Sequence, residues 1–355
     1  MSHGTRRLVV HIGDIKTGST AIQTTLARRA LDVPGERWSY ARFPYTLDHG
    51  YLAAVAERID PERQNAAGRT VKAAGRLLRL NRTPTIILSA EHFANIGMRR
   101  LHTAVRSLGV SFTETRVVIY VRPHIGALNA LLAELLKQGK YAGTYETFVE
   151  RHLDGVTFMR KIGAFRRQFG DDLVVRPFVR SELRDGSVVS DFASVAFPGA
   201  EVKITEIEDQ NAAASLRDLM RLKVLHGELE ALGHSNRFFM GWALAQQITR
   251  DAPEGQVRLN MPRPLADKVL NARMKDARQF DRQFLNGKPI MAEALERERD
   301  ACTENTVSIE PSDWLDADEI NTLQGLARTV AASWGRTPAW HVRLYLSYVR
   351  QMMNA

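Results

Sequence analysis

The sequence predicts an α/β protein with a central parallel sheet flanked by helices, and a helical C-terminal part. Three observations lead there. Short runs at Leu8-Val9-Val10, Thr85-Ile86-Ile87-Leu88-Ser89 and Arg116-Val117-Val118-Ile119-Tyr120-Val121 are apolar almost throughout, as strands buried on both faces are. Helical patterns separate these runs, so crossovers link them and the strands run parallel. Between the first strand and the first helix lies a turn rich in Gly, Ser and Thr, which aims backbone N–H groups and the positive helix end at one spot.

In chain order, the first strand is read over residues 6–12 and the first helix over 19–30, where Ile22 and Leu26 stand four apart. A less regular stretch follows through Pro34 and Pro44. Helical patterns resume at 51–59 and 69–80, then strand 85–89, helix 98–108, strand 116–121 and helix 124–138. A basic helix over 159–169 precedes a strand at 172–178. From about Ser187 the pattern is helical, at 187–196, 214–232, 236–250, 263–275, 316–333 and 338–353, with Asp251 to Gly255 and the Pro262, Pro264 pair as loop punctuation. The expected division is an α/β core over 1–195 and a helical extension over 196–355.

With 355 residues, 44% hydrophobic and 25% charged, the chain can bury one large core or a core with an appendage. No apolar run approaches a membrane span, and Met1 to Arg7 lacks the apolar segment of a secretory signal, so a cytoplasmic location is expected. The single cysteine, Cys302, excludes an intramolecular disulfide and a cysteine zinc cluster. The histidines fall in no H-E-x-x-H spacing, and no structural metal is expected. The formal charge of +9 favours anionic partners. Arg69, Lys72, Arg76 and Arg79 share one helix face, which reads as a solvated face or a surface for a polyanion.

The turn reads His11-Ile12-Gly13-Asp14-Ile15-Lys16-Thr17-Gly18-Ser19-Thr20. Its Gly residues and helix end suit an anion, Lys16 adds a mobile positive charge, and Thr17, Ser19 and Thr20 add hydroxyls. A Walker A loop requires G-x-x-x-x-G-K-[ST]. Here Ile15 precedes Lys16 and His11 stands at the first Gly, so that match fails. With Gln23, the segment resembles the 5′-phosphosulfate loop of bacterial sulfotransferases that use 3′-phosphoadenosine 5′-phosphosulfate (PAPS), which reads roughly H-I-G-x-x-K-T-G-S-T-x-I-Q. Phe169 to Phe178 and Val188 to Phe192 are similar to further packing segments of that family. The resemblance covers roughly residues 6–195, with no catalytic role implied for these two segments.

In a parallel sheet ligands sit beyond the carboxyl ends of the strands, which here carry Ser89-Ala90-Glu91-His92-Phe93 and Arg122-Pro123-His124. Sulfuryl transfer to an alcohol needs charge neutralisation on the leaving phosphate and a base for the acceptor proton. Lys16 and the loop N–H groups meet the first need, and Glu91 or His92 meets the second. The resemblance implies that Lys16, Thr17, Gly18, Ser19 and Thr20 bind the 5′-phosphosulfate. It favours Glu91 as base, with His92 as neighbour or substitute. It also implies that Arg122 binds the 3′-phosphate with a Ser eight positions later. That Ser position holds Ala130, preceded by Asn129, a candidate to compensate. Arg176 and Arg180 are further candidates to line the cleft.

The resemblance thus implies a PAPS-dependent sulfotransferase with a sugar or glycolipid acceptor, no metal and no nucleic-acid partner. Two alternatives stay open on the residues. One is a degenerate member of the same fold that binds an anionic glycan without catalysis, for which Ala130 speaks. The other is a P-loop phosphotransferase, which lacks here a Walker A lysine after Gly and a strand-end aspartate for magnesium.

Overall fold

The computed structural model describes residues 6–14, 16–40, 47–50, 52, 83–94, 112–205, 214–234, 257–304 and 307–334. The helices expected at 51–59, 69–80, 98–108, 236–250 and 338–353, and with them the basic face of Arg69 to Arg79, lie outside these residues. The chain divides into two compact units: Met1–Pro123, Phe158–Ile207 and Asp276–Met291 form the first, and His124–Thr157, Glu208–Lys275 and Ala292–Ala355 the second.

The first unit holds a five-stranded sheet of β1 (Arg7–Ile12), β3 (Trp38–Tyr40), β4 (Thr85–Ala90), β5 (Glu114–Val121) and β6 (Leu173–Pro177), in spatial order β3-β4-β1-β5-β6. Every pairing is parallel. The chain leaves β1 toward β3 and leaves β5 toward β6, so the connections after these neighbouring strands diverge and open a crevice at their carboxyl ends. A separate antiparallel pair joins β2 (Leu31–Asp32) to β7 (Lys203–Ile204).

Helix α1 (Ser19–Ala27) and helix α5 (Val188–Ala196) pack together, and with Val9, Ile87, Val118 and Tyr120 of the sheet they form a core around Ile22, Leu26 and Phe192. By register, Val9 and His11, Ile87 and Ser89, Val118 and Tyr120, and Val174 and Arg176 share this sheet face. The opposite face carries Leu8, Val10, Ile12, Ile86, Leu88, Val117, Ile119 and Leu173, all apolar and buried.

The polar residues of the first face are tied to its helices. Tyr120 Oη donates to Asp191 Oδ2 on α5 at 2.8 Å. Arg176 grips the same carboxylate through Nε at 3.0 Å and Nη2 at 2.5 Å, and donates from Nη2 to the Glu182 carbonyl at 3.0 Å. The hydrogen bond to Asp191 holds the Arg176 guanidinium above its usual value. Burial, with the nearby Asp191 carboxylate, pushes the Tyr120 phenol far up. This triad explains the Val188 to Phe192 segment as a packing element: its aspartate bolts α5 to β5 and β6.

The second unit is helical: α2 (His124–Lys137), α3 (Tyr145–His152), α6 (Leu216–Ala231) and α9 (Ala317–Trp334). Leu222, Leu225 and Leu229 of α6 pack on Ala327 and Leu323 of α9. Ser215 caps α6, accepting from the Asp218 N–H at 3.1 Å. Thr144 and Thr147 close a capping box on α3.

Some elements differ from the sequence reading. Helix α1 stops at Ala27, with Arg29 in the left-handed region. The stretch read as irregular contains the edge strand β3. Helices α3 and α8 (Ile290–Asp300) are additional to those the sequence predicts. Helix α7 runs from Arg263 to Phe284 rather than to 275, and it ends where Asn286 and Gly287 take positive φ. Helix α4 (Phe158–Phe169) and strand β6 fall where expected.

Candidate functional site

Strand β1 ends at Ile12, in register with Ala90 of β4 and Ile119 of β5. The Gly13 N–H donates to the Ala90 carbonyl at 3.1 Å, which carries the ladder one residue past the strand and seats the loop beside Glu91. A Cβ on Gly13 would lie 2.6 Å from Ser19 Oγ and 2.9 Å from both Cα and Cγ of Glu91. Only glycine fits this approach of three segments.

Beyond Gly13, Asp14 accepts at its carbonyl from the Thr17 N–H at 3.4 Å and the Thr17 hydroxyl at 3.1 Å, closing a tight turn. Ile15 lies outside the described residues. Lys16 is exposed and takes φ 54°, a left-handed conformation costing about 1–3 kcal/mol for a residue with a side chain. Gly18 takes φ 79° and packs on Val188 and Phe178, where a Cβ would stand 2.7 Å and 3.4 Å away. Helix α1 then starts at Ser19 with no side chain capping it from Gly18. Its first N–H groups therefore present an uncapped helix end, the kind of terminus that suits an anion.

The three hydroxyls differ. Thr17 is buried and spends its proton on the turn. Ser19 Oγ is buried and, among the described residues, has no hydrogen-bond partner. A buried hydroxyl without a partner costs free energy that a ligand oxygen would return. Thr20 is partly exposed.

Glu91 and His92 open a 3-10 turn (Glu91–Ala94) directly after β4, and both are exposed. The Leu47–Gly50 segment is pinned to the end of β4: the His49 N–H donates to the Ser89 carbonyl at 2.8 Å, and the Ser89 N–H donates to His49 Nδ1 at 3.1 Å. This brings Asp48 and His92 to Gly50, where a Cβ would lie 3.1 Å from Asp48 Oδ1 and 3.4 Å from His92 Nδ1. Burial pushes the Asp48 carboxyl above the usual carboxylate range, opposed by the Gly50 N–H bond and by His92.

Arg122 follows β5, half-buried, with its guanidinium carbon 5.0 Å from the centroid of the Phe178 ring. The Phe178 N–H donates to the Val121 carbonyl at 2.7 Å, so β5 fixes the ring. Since Gly18 packs on the same ring, Phe178 joins Arg122 to the loop. The first unit thereby gathers the loop, Glu91, His92 and Arg122 along one sheet edge. In the second unit, Asn129 lies on α2, and its side-chain oxygen accepts from the Tyr145 hydroxyl. Ala130 follows on the same helix. The first turn of α2 carries a carboxylate of its own, Glu298 Oε2 accepting from the Gly126 N–H at 2.8 Å.

Arg176, a candidate to line the cleft, is engaged by Asp191 through Nε and Nη2. The sequence reading also passed over Lys161, which stands on α4 with Nζ 2.6 Å from Asp14 Oδ1. Its signal was the basic character of 159–169, since the first turn of a crossover helix lies at the carboxyl edge of a parallel sheet. Asp48 had no such signal.

Beneath the loop, His11 Nδ1 and Ser89 Oγ are 2.8 Å apart, and Gln23 Nε2 donates to the same hydroxyl at 3.1 Å. Burial pushes the His11 imidazole down to about 3, so it is neutral. Its ring meets Tyr120 and Phe192 edge-on at 6.0 and 5.4 Å. Among the described residues no group of three or more His, Cys, Asp or Glu side chains is placed to hold a metal ion, and no helix is long and apolar enough to cross a membrane.

No protein-family profile matches the chain, and no curated protein matches it. Among solved structures it is similar to a sulfotransferase from Alicyclobacillus acidocaldarius, at 10% identity and a TM-score of 0.39, over 81% of this chain and 98% of that one. A likeness at that score fixes neither activity nor ligand.

Proposed function

We propose that this protein is a sulfotransferase that moves the sulfuryl group of PAPS to a hydroxyl of a carbohydrate or glycolipid acceptor. The observation that carries the proposal is the close approach at Gly13, which puts the carboxylate-bearing turn of Glu91 beside a loop whose buried Ser19 hydroxyl has no hydrogen-bond partner among the described residues. The motif resemblance of residues 11–23 supplies the identity of the anion. PAPS brings the activated sulfuryl group; everything else in the reaction falls to this chain.

Lys16, the Ser19 hydroxyl and the N–H groups opening α1 hold the 5′-phosphosulfate, with Gly18 and Thr20 shaping the same loop and Thr17 locking its turn. Arg122, stiffened on Phe178, takes the 3′-phosphate through its planar fork. Asn129 is the candidate to compensate for the serine that the resemblance places at the Ala130 position. The acceptor oxygen bonds to sulfur as the sulfur–oxygen bond to the 5′-phosphate breaks. Its electron pair leaves on the phosphate, where Lys16 neutralises the charge, and the hydroxyl proton passes to Glu91, with His92 at its side.

Lys16→Ala tests this. Lys16 is exposed, so the variant folds, as circular dichroism will show. Removing the charge at the leaving oxygen lowers sulfate transfer by about 10²–10³-fold. Undiminished transfer by the variant overturns the assignment. If the wild type transfers nothing and binds 3′-phosphoadenosine 5′-phosphate more weakly than ~1 mM, the chain is a binding protein on this fold.

A further inference from the structure

An aspartate is the wrong residue for a loop that binds anions. Asp14 sits between Gly13 and the lysine, and its carboxylate would raise the cost of bringing phosphate or sulfate to the open end of α1. The structure contains an answer to that charge. Lys161 Nζ lies 2.6 Å from Asp14 Oδ1, and both side chains are more than two-thirds buried, at 29% and 20% exposure, where screening is weaker than at a free surface. The ammonium is held there by its helix. Asp276 accepts from the Phe158 N–H at 2.8 Å and the Met159 N–H at 3.2 Å, fixing the first turn of α4 and with it Lys161.

Asp14 in turn is fixed by its own backbone. Its carbonyl closes the turn with Thr17. The pair is formed by residues far apart in sequence that meet only when the loop and α4 are both in place.

We propose that Lys161 is a positioning residue of the anion site. It cancels and turns aside the Asp14 carboxylate, so that the loop presents net positive charge to an incoming phosphosulfate. The inference rests on the proposed PAPS reading for the identity of the ligand, though not for the electrostatics. It predicts a specific non-additivity: loss of Lys161 is harmful only while Asp14 is charged.

Calorimetry on the full chain with 3′-phosphoadenosine 5′-phosphate tests this, using wild type, Lys161→Met, Asp14→Asn and the double variant, with circular dichroism to verify folding. Lys161→Met is expected to weaken binding by about tenfold or more, equivalent to about 1.4 kcal/mol. The double variant is expected to return to within about twofold of wild type, the scatter within which independent effects add. Lys161→Arg should bind like wild type, and Lys161→Gln repeats the comparison should the methionine variant fail to fold. Wild-type binding by both neutral variants overturns the inference. So does a double variant as weak as Lys161→Met, since the lysine would then act on the ligand itself. Inorganic pyrophosphate is the second probe. If wild type binds pyrophosphate but not the nucleotide, and the variants keep their ranking, the nucleotide reading falls and the inference stands; if wild type binds neither, both fall.

Discussion

Replacing Gly13 with alanine adds one methyl group at the point where the loop, helix α1 and the Glu91 turn converge. Its backbone does not need glycine for its own φ, so the substitution on its own would stabilise the protein by about 0.4–1 kcal/mol through the unfolded chain. Packing opposes this. The new carbon would meet Ser19 Oγ at 2.6 Å and Glu91 Cα and Cγ at 2.9 Å. The serine hydroxyl can rotate away and Glu91 Cγ can follow a rotamer change, but Glu91 Cα is backbone, so the end of β4 must separate from β1. Such overpacking costs about 1–3 kcal/mol, and the net loss is about 1–2 kcal/mol. The displacement falls on the Gly13–Ala90 hydrogen bond and on the spacing between loop and Glu91, so sulfate transfer should suffer more than folding. Urea unfolding at equilibrium gives the stability change, and transfer assays well below the unfolding transition give the functional one. A Gly13→Ala protein at least as stable as wild type, with full transfer activity, would refute the claim that this approach is tight and that the site depends on it.

Two further expectations concern the scaffold. Asp191→Ala leaves Arg176 without its carboxylate partner and should cost about 3 kcal/mol in urea unfolding, the low end for a broken buried pair because Arg176 is 32% exposed; a loss below about 1 kcal/mol would show that the triad does not anchor α5. His11 is neutral when folded down to about pH 3, whereas the unfolded chain protonates it below 6.5, so the unfolded state binds the extra proton. Stability should therefore fall with acidity across that window by up to about 1.4 kcal/mol per pH unit. His11→Gln should remove that component of the slope, and an unchanged slope would contradict the buried-neutral assignment.

The strands at 7–12, 85–90 and 114–121 were legible because burial on both faces leaves an apolar run that no other element of the chain imitates. Short edge strand β3 was not, because a strand with one neighbour needs no such run: Trp38, Ser39 and Tyr40 are only partly buried. The site was legible where chemistry is continuous in sequence. Gly13 to Thr20 lie together, and Glu91 and Arg122 follow strands whose ends the parallel sheet must align. Lys161 and Asp48 reach the edge by packing, from an amphipathic helix and a pinned loop, and a periodic pattern does not say which of its exposed positions meets a loop far away in the chain. Arg176 fails in the opposite direction, since a strand-end arginine looks available until its carboxylate partner on α5 is known.

The polar network under the loop accounts for how these pieces hold position without interfering with an anion. Gly13, Glu91 and Ser19 belong to β1, β4 and α1 or to the turns that directly follow them, and His11, Ser89 and Gln23 join these same three elements. A charged bolt would hold them as well but would place a fixed ion beneath the proposed anion site, and its strength would shift with pH and salt. The network is uncharged instead, with the histidine kept neutral by burial and its ring turned into the aromatic edges of Tyr120 and Phe192. The ionic bolt, Asp191 with Arg176, binds α5 to the strands β5 and β6 further along the sheet. Ionic strength should therefore act on ligand affinity through Lys16, Lys161 and Arg122 while leaving the relative placement of loop and base unchanged.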